Sequence, residues 1–93
     1  MQAADTLSMD EESLLGRVRE IMAETFGLDE SELPESPSQA NFARWTSLLH
    51  MVLLVALEEH FELVLTMDEM TSMTSLDRVV AVLRDRQRVG QLA

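Results

Sequence analysis

The residues whose types and spacing most resemble reactive chemistry are a serine and a histidine three positions apart, Ser47 and His50. On a helix such residues are neighbours, which is compatible with a serine nucleophile and a histidine base. No acidic residue is placed to orient the imidazole, and no oxyanion-stabilising donors can be named, so a hydrolase is disfavoured. We expect no catalytic residue and interpret His50 as a half-buried, hydrogen-bonded residue at the edge of the core.

Metal and phosphate-binding motifs are missing from the sequence. His50 and His60 have no suitably placed third ligand, so no zinc site is expected. The acidic clusters lack the glycine and alternating oxygen ligands of a calcium loop, and no glycine-rich phosphate loop occurs. With no cysteine, the chain has no thiol of its own, which fits a reducing cytoplasm.

Ser47 has a second chemical use because it lies near the start of a predicted central helix. The stretch from Arg44 to Phe61 is the longest apolar run, contains no Gly or Pro, and opens with the hydroxyl residues Thr46 and Ser47. A hydroxyl there is usually a cap. A phosphate attached to it would lie beside free backbone N–H groups at the positive end of the helix dipole, so the position favours a phosphodiester.

The central helix has two distinct faces when wound at 3.6 residues per turn. Its predicted core stripe is His50, Leu53, Leu54, Leu57 and Phe61. The opposite side carries Glu58, Glu59 and Glu62 and, nearer the helix start, the apolar residues Leu48, Met51, Val52 and Val55. Exposed apolar residues in such a cluster indicate a partner-binding surface.

Before this helix the sequence predicts an amphipathic helix and a long loop. The helix opens with a capping box at Ser8 and Glu11 and stops at Gly27. Its inward face is Leu14, Leu15, Val18, Ile21, Met22 and Phe26. From Leu28 to Trp45 two prolines and many polar residues predict a loop without helix or strand, pinned to the core by Leu28, Leu33, Phe42 and Trp45.

After Phe61 the sequence predicts an extended segment, a short helix and a last helix. Leu63 and Leu65 should point inward, and Thr66 and Glu69 have capping-box spacing. The short helix brings Met67, Met70 and Met73, which we expect to fill the core, although methionines can also line an adjustable cavity. Thr74 or Ser75 caps the last helix, with Leu76, Val79, Val80 and Leu83 inward and Arg78, Arg84, Arg86 and Arg88 outward.

The length and the net charge limit the class to which the protein can belong. The 93 residues predict one domain, an all-α bundle of three main helices and one short helix, with flexible tails at 1–7 and 89–93. A net charge of −10, with 17 acidic residues against seven arginines, disfavours nucleic acid and favours basic protein partners. No apolar run reaches the ~20 residues of a membrane span, and the start is not a signal peptide. We expect a soluble, cytoplasmic monomer.

The sequence resembles that of the acyl carrier protein family, in its freestanding form. The resemblance is carried by Trp45-Thr46-Ser47-Leu48, Leu53, Ala56-Leu57-Glu58-Glu59-His60-Phe61, Leu63 to Thr66 and the capped last helix. In that family the motif Asp-Ser-Leu opens the second helix and is followed at a fixed distance by Ala-Leu-Glu-Glu and Phe. The likeness covers roughly residues 8 to 86.

The resemblance implies that Ser47 bears 4′-phosphopantetheine, transferred from coenzyme A by a phosphopantetheinyl transferase. The thiol of this arm would carry acyl or aminoacyl groups as thioesters between loading, condensing and acyl-modifying enzymes, and the helices would part to shelter the acyl chain. The outward face of the central helix would be the docking surface, formed by Leu48, Met51, Val52 and Val55 with Glu58, Glu59, Glu62, Asp68 and Glu69 steering from its rim.

Two departures from the family pattern refine these expectations. Thr46 replaces the acid before the serine, which removes a charge that helps to orient a basic transferase. Acidic residues appear on the central helix only from Glu58 onward, which favours docking by apolar contact and a specialised pathway such as polyketide synthesis. A peptidyl carrier and an unmodified carrier-like interaction module remain as alternatives, with a Ser-His hydrolase well behind them.

Overall fold

Four helices and one 3-10 turn form the part of the chain that the computed structural model describes, residues 11–92. The elements are α1 (Glu11–Phe26), the turn Glu30–Glu32, α2 (Ser47–Phe61), α3 (Met67–Ser72) and α4 (Leu76–Leu92). Within this range the only extended pairing is an isolated antiparallel bridge between Ser38 and Ser75. The protein is therefore a small all-α bundle with three main helices and one short helix, as the sequence predicts.

The core lies where α1 packs against both α2 and α4. Its most buried side chains come from the predicted inward faces: Leu14, Val18 and Met22 of α1, Leu53, Leu54 and Leu57 of α2, and Leu76, Val79 and Leu83 of α4. Leu15, which the sequence places inward, is instead 37% exposed at the edge of the bundle beside Val80 and Arg84. Consecutive residues on a helix are rotated by about 100° from each other, so Leu15, which follows the buried Leu14, lies at the edge of the core-facing side of α1.

The end of α1 follows the predicted helix stop. Gly27 has φ = +72°, a left-handed conformation that glycine adopts without a Cβ clash, and Leu28 N donates to Ala23 O at 2.9 Å. The predicted cap at Ser8 lies outside the described residues. Arg44 adds a contact that the sequence did not indicate, because its Nη1 donates to Phe26 O at 3.2 Å and so binds a carbonyl at the helix end.

The long connection between α1 and α2 is anchored at the predicted positions. Leu33 and Trp45 are buried, and Leu28 and Phe42 are half-buried against the core. The expectation that this stretch holds no helix is wrong at Glu30–Glu32, where Glu32 Oε1 accepts from Asp29 N at 2.9 Å and closes a short 3-10 turn. A capping interaction of this kind is local and needs no long helix-forming sequence.

A single arginine of α1 also holds this loop. Arg19 Nη1 donates to Pro34 O at 2.8 Å and to Glu35 O at 3.1 Å, and Nη2 donates to Leu33 O at 3.1 Å. One guanidinium thus binds three consecutive carbonyls of a segment without regular structure. This part of the loop is therefore held against α1.

Replacing Arg19 with Met is expected to lower the free energy of unfolding by about 1–2 kcal/mol, because partly buried carbonyls lose a charged donor. Methionine keeps an apolar stem of similar length, so packing loss is limited. The measurement is urea unfolding followed by the emission of Trp45, the one tryptophan of the chain. The matched control is Arg17→Met on the exposed side of α1; equal losses in both variants would contradict a specific role for Arg19.

The second half of the chain follows the predicted order. α2 begins at Ser47 because Thr46 caps it, so Arg44 and Trp45 belong to the loop and not to the helix. It ends at Phe61, and the capping residue Glu62 adopts a left-handed φ of 53° without being glycine. Leu65 is then buried, Leu63 is half-buried, and α4 opens with Ser75 Oγ accepting from Arg78 N at 3.2 Å. α4 is helical to Leu92, so it extends into the segment 89–93 that the sequence analysis expects to be a flexible tail.

Candidate functional site

Ser47 is the first residue of α2, and its side chain is exposed. The capping role is taken by Thr46, whose Oγ1 accepts from Leu49 N at 3.2 Å, so the Ser47 hydroxyl is not needed to cap the helix. The first-turn N–H groups of Ser47 and Leu48 have no acceptor within the helix. The hydroxyl therefore lies beside backbone donors at the positive end of the dipole, a setting that favours a bound anion.

His50 is held by hydrogen bonds at both ring nitrogens. Trp45 Nε1 lies 3.1 Å from His50 Nδ1, and His50 Nε2 lies 3.1 Å from Met70 O. An indole N–H can only donate, so Nδ1 accepts, and Nε2 must carry the proton that it donates to the Met70 carbonyl. The expected half-buried, hydrogen-bonded His50 is confirmed.

The same bonds separate His50 from Ser47 chemically. Within the part of the chain that the structure describes, no hydrogen bond joins the Ser47 hydroxyl to the imidazole. Each ring nitrogen already has a protein partner, so taking a proton from Ser47 would require breaking one of them. The geometry favours a structural role for His50, which ties the loop at Trp45 and α2 to α3 at Met70.

A groove of about 400 Å³ opens beside Ser47, between α2 and α3. Leu54 is almost fully buried and forms its bottom, whereas Met51 and Met67 are more than half exposed and form its rims. Its lining is completed by Gln39, Ser47, His50, Met70, Thr71 and Thr74. The volume lies within the range of ~300–1,000 Å³ that is usual for small-molecule sites.

The methionines of α3 divide between two roles. Met73 is fully buried and Met70 half-buried, as core filling requires. Met67 is 74% exposed, so the expectation that it fills the core is wrong. Met67 and Met70 both line the groove, which is the adjustable-cavity alternative. Met67 is the first residue of α3 and lies at the rim of the groove.

The apolar patch predicted on α2 is exposed in the structure. Leu48, Met51, Val52 and Val55 are 73%, 54%, 46% and 50% exposed. Val64, which the sequence analysis did not single out, is also exposed, in the segment before α3. We call the four residues of α2 the apolar patch. Its use in docking stays a prediction.

The acidic residues assigned to the rim of the patch differ in their surroundings. Glu59, Glu62 and Asp68 are exposed and remain candidates for steering a partner. Glu58 is half-buried, and its Oε2 accepts from Leu65 N at 2.9 Å, which fixes the segment after α2. Glu69 is likewise engaged within the domain. Two of the five predicted carboxylates therefore already have structural hydrogen-bond partners.

Glu69 joins α3 to α4 through Arg86. Arg86 Nε lies 2.7 Å from Glu69 Oε2, Arg86 Nη2 lies 2.9 Å from Oε1, and the same guanidinium donates to Val64 O. The predicted capping box is confirmed, with Thr66 N donating to Glu69 Oε1 at 2.8 Å and Glu69 N to Thr66 Oγ1 at 3.1 Å. Arg86, expected to point outward, instead holds α3 in place beside the groove.

These hydrogen bonds stabilise the charged form of the carboxyl group. The Arg86 guanidinium is the largest cause, and together with the Thr66 N–H it lowers the pKa of Glu69 to about 2 from an ordinary value of 4.5. The pKa of Arg86 is raised by the same pair. Because the folded pKa lies below the unfolded one, the pair stabilises the fold above about pH 4.5, and this contribution is lost as the pH falls toward 2.

Replacing Glu69 with Gln is expected to lower the free energy of unfolding by about 1 kcal/mol at pH 7, an amount limited by water near this partly exposed pair. Glutamine keeps one side-chain oxygen that can accept from Thr66 N, but it removes the negative charge and replaces the oxygen that accepts from Arg86 Nε with an amide NH2 group. In urea unfolding at several pH values, the deficit relative to wild type should shrink below about pH 4.5. In an Arg86→Met background the substitution should show little of this pH dependence; an unchanged dependence there would contradict the pairing.

Comparison with known proteins does not assign this chain to a family. No model of a known protein family matches it, and no curated protein matches it at a significant level. Among the described residues, no group of three or more His, Asp or Glu side chains is arranged to hold a metal ion. None of the helices within residues 11–92 is long and apolar enough to cross a membrane. Functional interpretation therefore rests on the surroundings of Ser47.

Proposed function

We propose that the protein is an acyl carrier protein that bears 4′-phosphopantetheine on Ser47 and holds acyl intermediates as thioesters for a specialised biosynthetic pathway. The observation that carries this proposal is the position of one exposed hydroxyl. Ser47 lies at the positive end of α2, is relieved of capping by Thr46, and opens onto a groove of about 400 Å³. The sequence resemblance to acyl carrier proteins at Ser47 and at the later Glu58 and Glu59 points the same way.

The residues around Ser47 fit such a group. In the attachment step, Ser47 Oγ would form a bond to the phosphorus that carries the pantetheine portion of coenzyme A, and adenosine 3′,5′-bisphosphate would leave. The serine proton would pass to a base of the transferase, since His50 has both nitrogens occupied. When bound, the group supplies a thiol for thioester formation, which a chain without cysteine lacks.

The chain itself contributes binding and positioning. The free N–H groups of Ser47 and Leu48 and the dipole of α2 stabilise a phosphodiester charge on the serine. Thr46 is neutral where an acid would repel that charge, and its hydroxyl keeps the helix start fixed. His50, through Met70 O, and Arg86, through Glu69, hold α3 against the rest of the bundle, which supports the groove beside Ser47.

The apolar patch supports a proposal for the partners. A phosphopantetheinyl transferase and the loading, condensing and acyl-modifying enzymes would bury Leu48, Met51, Val52 and Val55, with Glu59, Glu62 and Asp68 steering basic residues from the rim. A second copy of the chain is a poor occupant, because two molecules of charge −10 repel each other. We place the carrier in the cytoplasm, where its thiol would stay reduced.

The test is the intact mass of the protein after incubation with coenzyme A and a broad-specificity phosphopantetheinyl transferase. We expect a gain equal to one phosphopantetheine group. Protein purified from its native host should carry the same addition. If incubation adds no mass and the protein from its native host carries no added group, the carrier proposal is wrong. An unmodified protein-interaction module, docking through the apolar patch, then becomes the better interpretation.

A further inference from the structure

We infer that Met51 and Met67 are modification sites, at which a hydroperoxide converts the thioether to a methionine sulfoxide, and that the sulfoxide at Met51 blocks docking of the partner enzymes. The first part of this inference depends only on the exposure of the methionines. The second part rests on the proposed function, because it concerns the apolar patch that the transferase and the later enzymes would bury.

The methionines of the described chain differ sharply in exposure. Met67 is 74% exposed and Met51 is 54% exposed. Met22 and Met73 are fully buried in the core, and Met70 is half-buried against it. Oxidation requires access of the oxidant to sulfur, so a buried thioether reacts only when the fold opens. The structure therefore exposes two thioethers to an oxidant and protects two others.

The oxidation needs no catalytic group from the protein. The thioether sulfur attacks the outer oxygen of the hydroperoxide, and a sulfur–oxygen bond forms as the oxygen–oxygen bond breaks. The hydroxyl proton passes to the other oxygen, which leaves as water or an alcohol, so the sulfur is oxidised and the peroxide is reduced. The chain has no cysteine, so its thioethers are the only sulfur atoms present before the arm is attached.

Met51 lies where a polar group would oppose docking. It follows Ser47 by about one helical turn, so the two residues lie on the same side of α2. The other members of the apolar patch are Leu48, Val52 and Val55, whose side chains cannot donate a hydrogen bond. A sulfoxide oxygen buried against a partner would lose its water and gain no donor from this surface. In the free protein the same oxygen stays in water, so folding is preserved.

Met67 provides the comparison within the same chain. It is more exposed than Met51 but lies on α3, outside the apolar patch. Its sulfoxide should form at least as fast and have a smaller effect on the transferase. Both sulfoxides lie on the surface, where a methionine sulfoxide reductase can reach them, so the modification is reversible.

Peptide mass spectrometry after exposure of the folded protein to hydrogen peroxide tests the first part. A protease that cleaves after glutamate places Met22, Met51 and Met67 on three separate peptides. We expect Met51 and Met67 to gain an oxygen atom at least about tenfold faster than Met22. Equal rates for Met22 and Met51 would overturn the inference.

The transferase reaction tests the second part, with each variant compared before and after oxidation. We expect the oxidised wild-type protein to be modified with a kcat/KM at least about fivefold lower than the untreated protein, because a polar oxygen replaces apolar contact. Methionine sulfoxide reductase should restore the rate. Met51→Leu should show no loss on oxidation, whereas Met67→Leu should keep the wild-type loss. Oxidation of Met1 and Met9, which precede the described residues, is common to all variants.

The outcomes separate this inference from the proposed function. No mass gain from the transferase in the untreated protein would refute the carrier, and the docking part would fall with it. Modification at the same rate before and after oxidation would overturn the docking part and leave the carrier intact. An equal loss in Met51→Leu would overturn it by placing the sensitive methionine elsewhere. A lower urea midpoint for the oxidised wild-type protein would overturn it by assigning the loss to unfolding.

Discussion

Replacing Ser47 with Ala is expected to abolish the mass gain on incubation with coenzyme A and a phosphopantetheinyl transferase, while the free energy of unfolding changes by less than about 0.5 kcal/mol. The modification should be lost completely because, in the proposed function, the hydroxyl oxygen is the atom that would bond to phosphorus. Stability is retained because the side chain is exposed and Thr46 supplies the cap. The measurements are intact mass and urea unfolding.

The matched control is a substitution of the neighbouring residue Thr46, for which the opposite pattern is expected: stability decreases and the mass gain is retained. Thr46→Ala removes the oxygen that accepts from Leu49 N and should cost about 1 kcal/mol of stability. It leaves the Ser47 hydroxyl in place, so the mass gain should persist. A persistent gain in Ser47→Ala would show that another residue is modified, and loss of the gain in both variants would show only that the helix start must be intact.

The same variants address the hydrolase alternative. Hydrolysis of a simple ester that requires both Ser47 and His50 would revive it. The structure argues against this outcome, because the proton on Nε2 is donated to Met70 O and Nδ1 accepts from Trp45. An imidazole held in this way lacks the free nitrogen that a general base needs.

Local signals in the sequence were sufficient for most of the helices and for the position of Ser47. Gly27 ends α1, Thr46 caps α2, and Thr66 with Glu69 opens α3, each by an interaction within a few residues of chain. Apolar periodicity likewise located the buried leucines of α2 and the patch opposite them. Where the residues that fix a structural element lie close together in the sequence, the sequence pattern predicts that element directly.

The contacts that shape the groove were not accessible in this way. Arg86 reaches Glu69 and Val64, and His50 reaches Met70, across separations of 17 to 22 residues. Helical periodicity gives the direction in which a side chain leaves its helix, but a long arginine can turn back onto a neighbouring element. The exposure of Met67 depends on how α3 sits against α2, which is set by these same contacts.

A carboxylate on the apolar patch should impair partner recognition more than any other change outside Ser47. In Val52→Glu, the transferase is expected to modify the carrier with a kcat/KM at least about tenfold lower, the cost of losing roughly 1.4 kcal/mol of apolar contact. Val52 is 46% exposed on α2 and does not line the groove, so the groove beside Ser47 is unchanged. Stability should fall by less than about 1 kcal/mol.

The comparison that isolates the patch is Val64→Glu, the same substitution at a residue that is 77% exposed and lies outside α2. Both variants add one negative charge to a protein of net charge −10, so any general electrostatic effect on a basic transferase is shared. A decrease confined to Val52→Glu would identify α2 as the surface that partners contact. Equal rates in the two variants would place docking elsewhere, and unfolding of Val52→Glu would contradict the exposed position of this face.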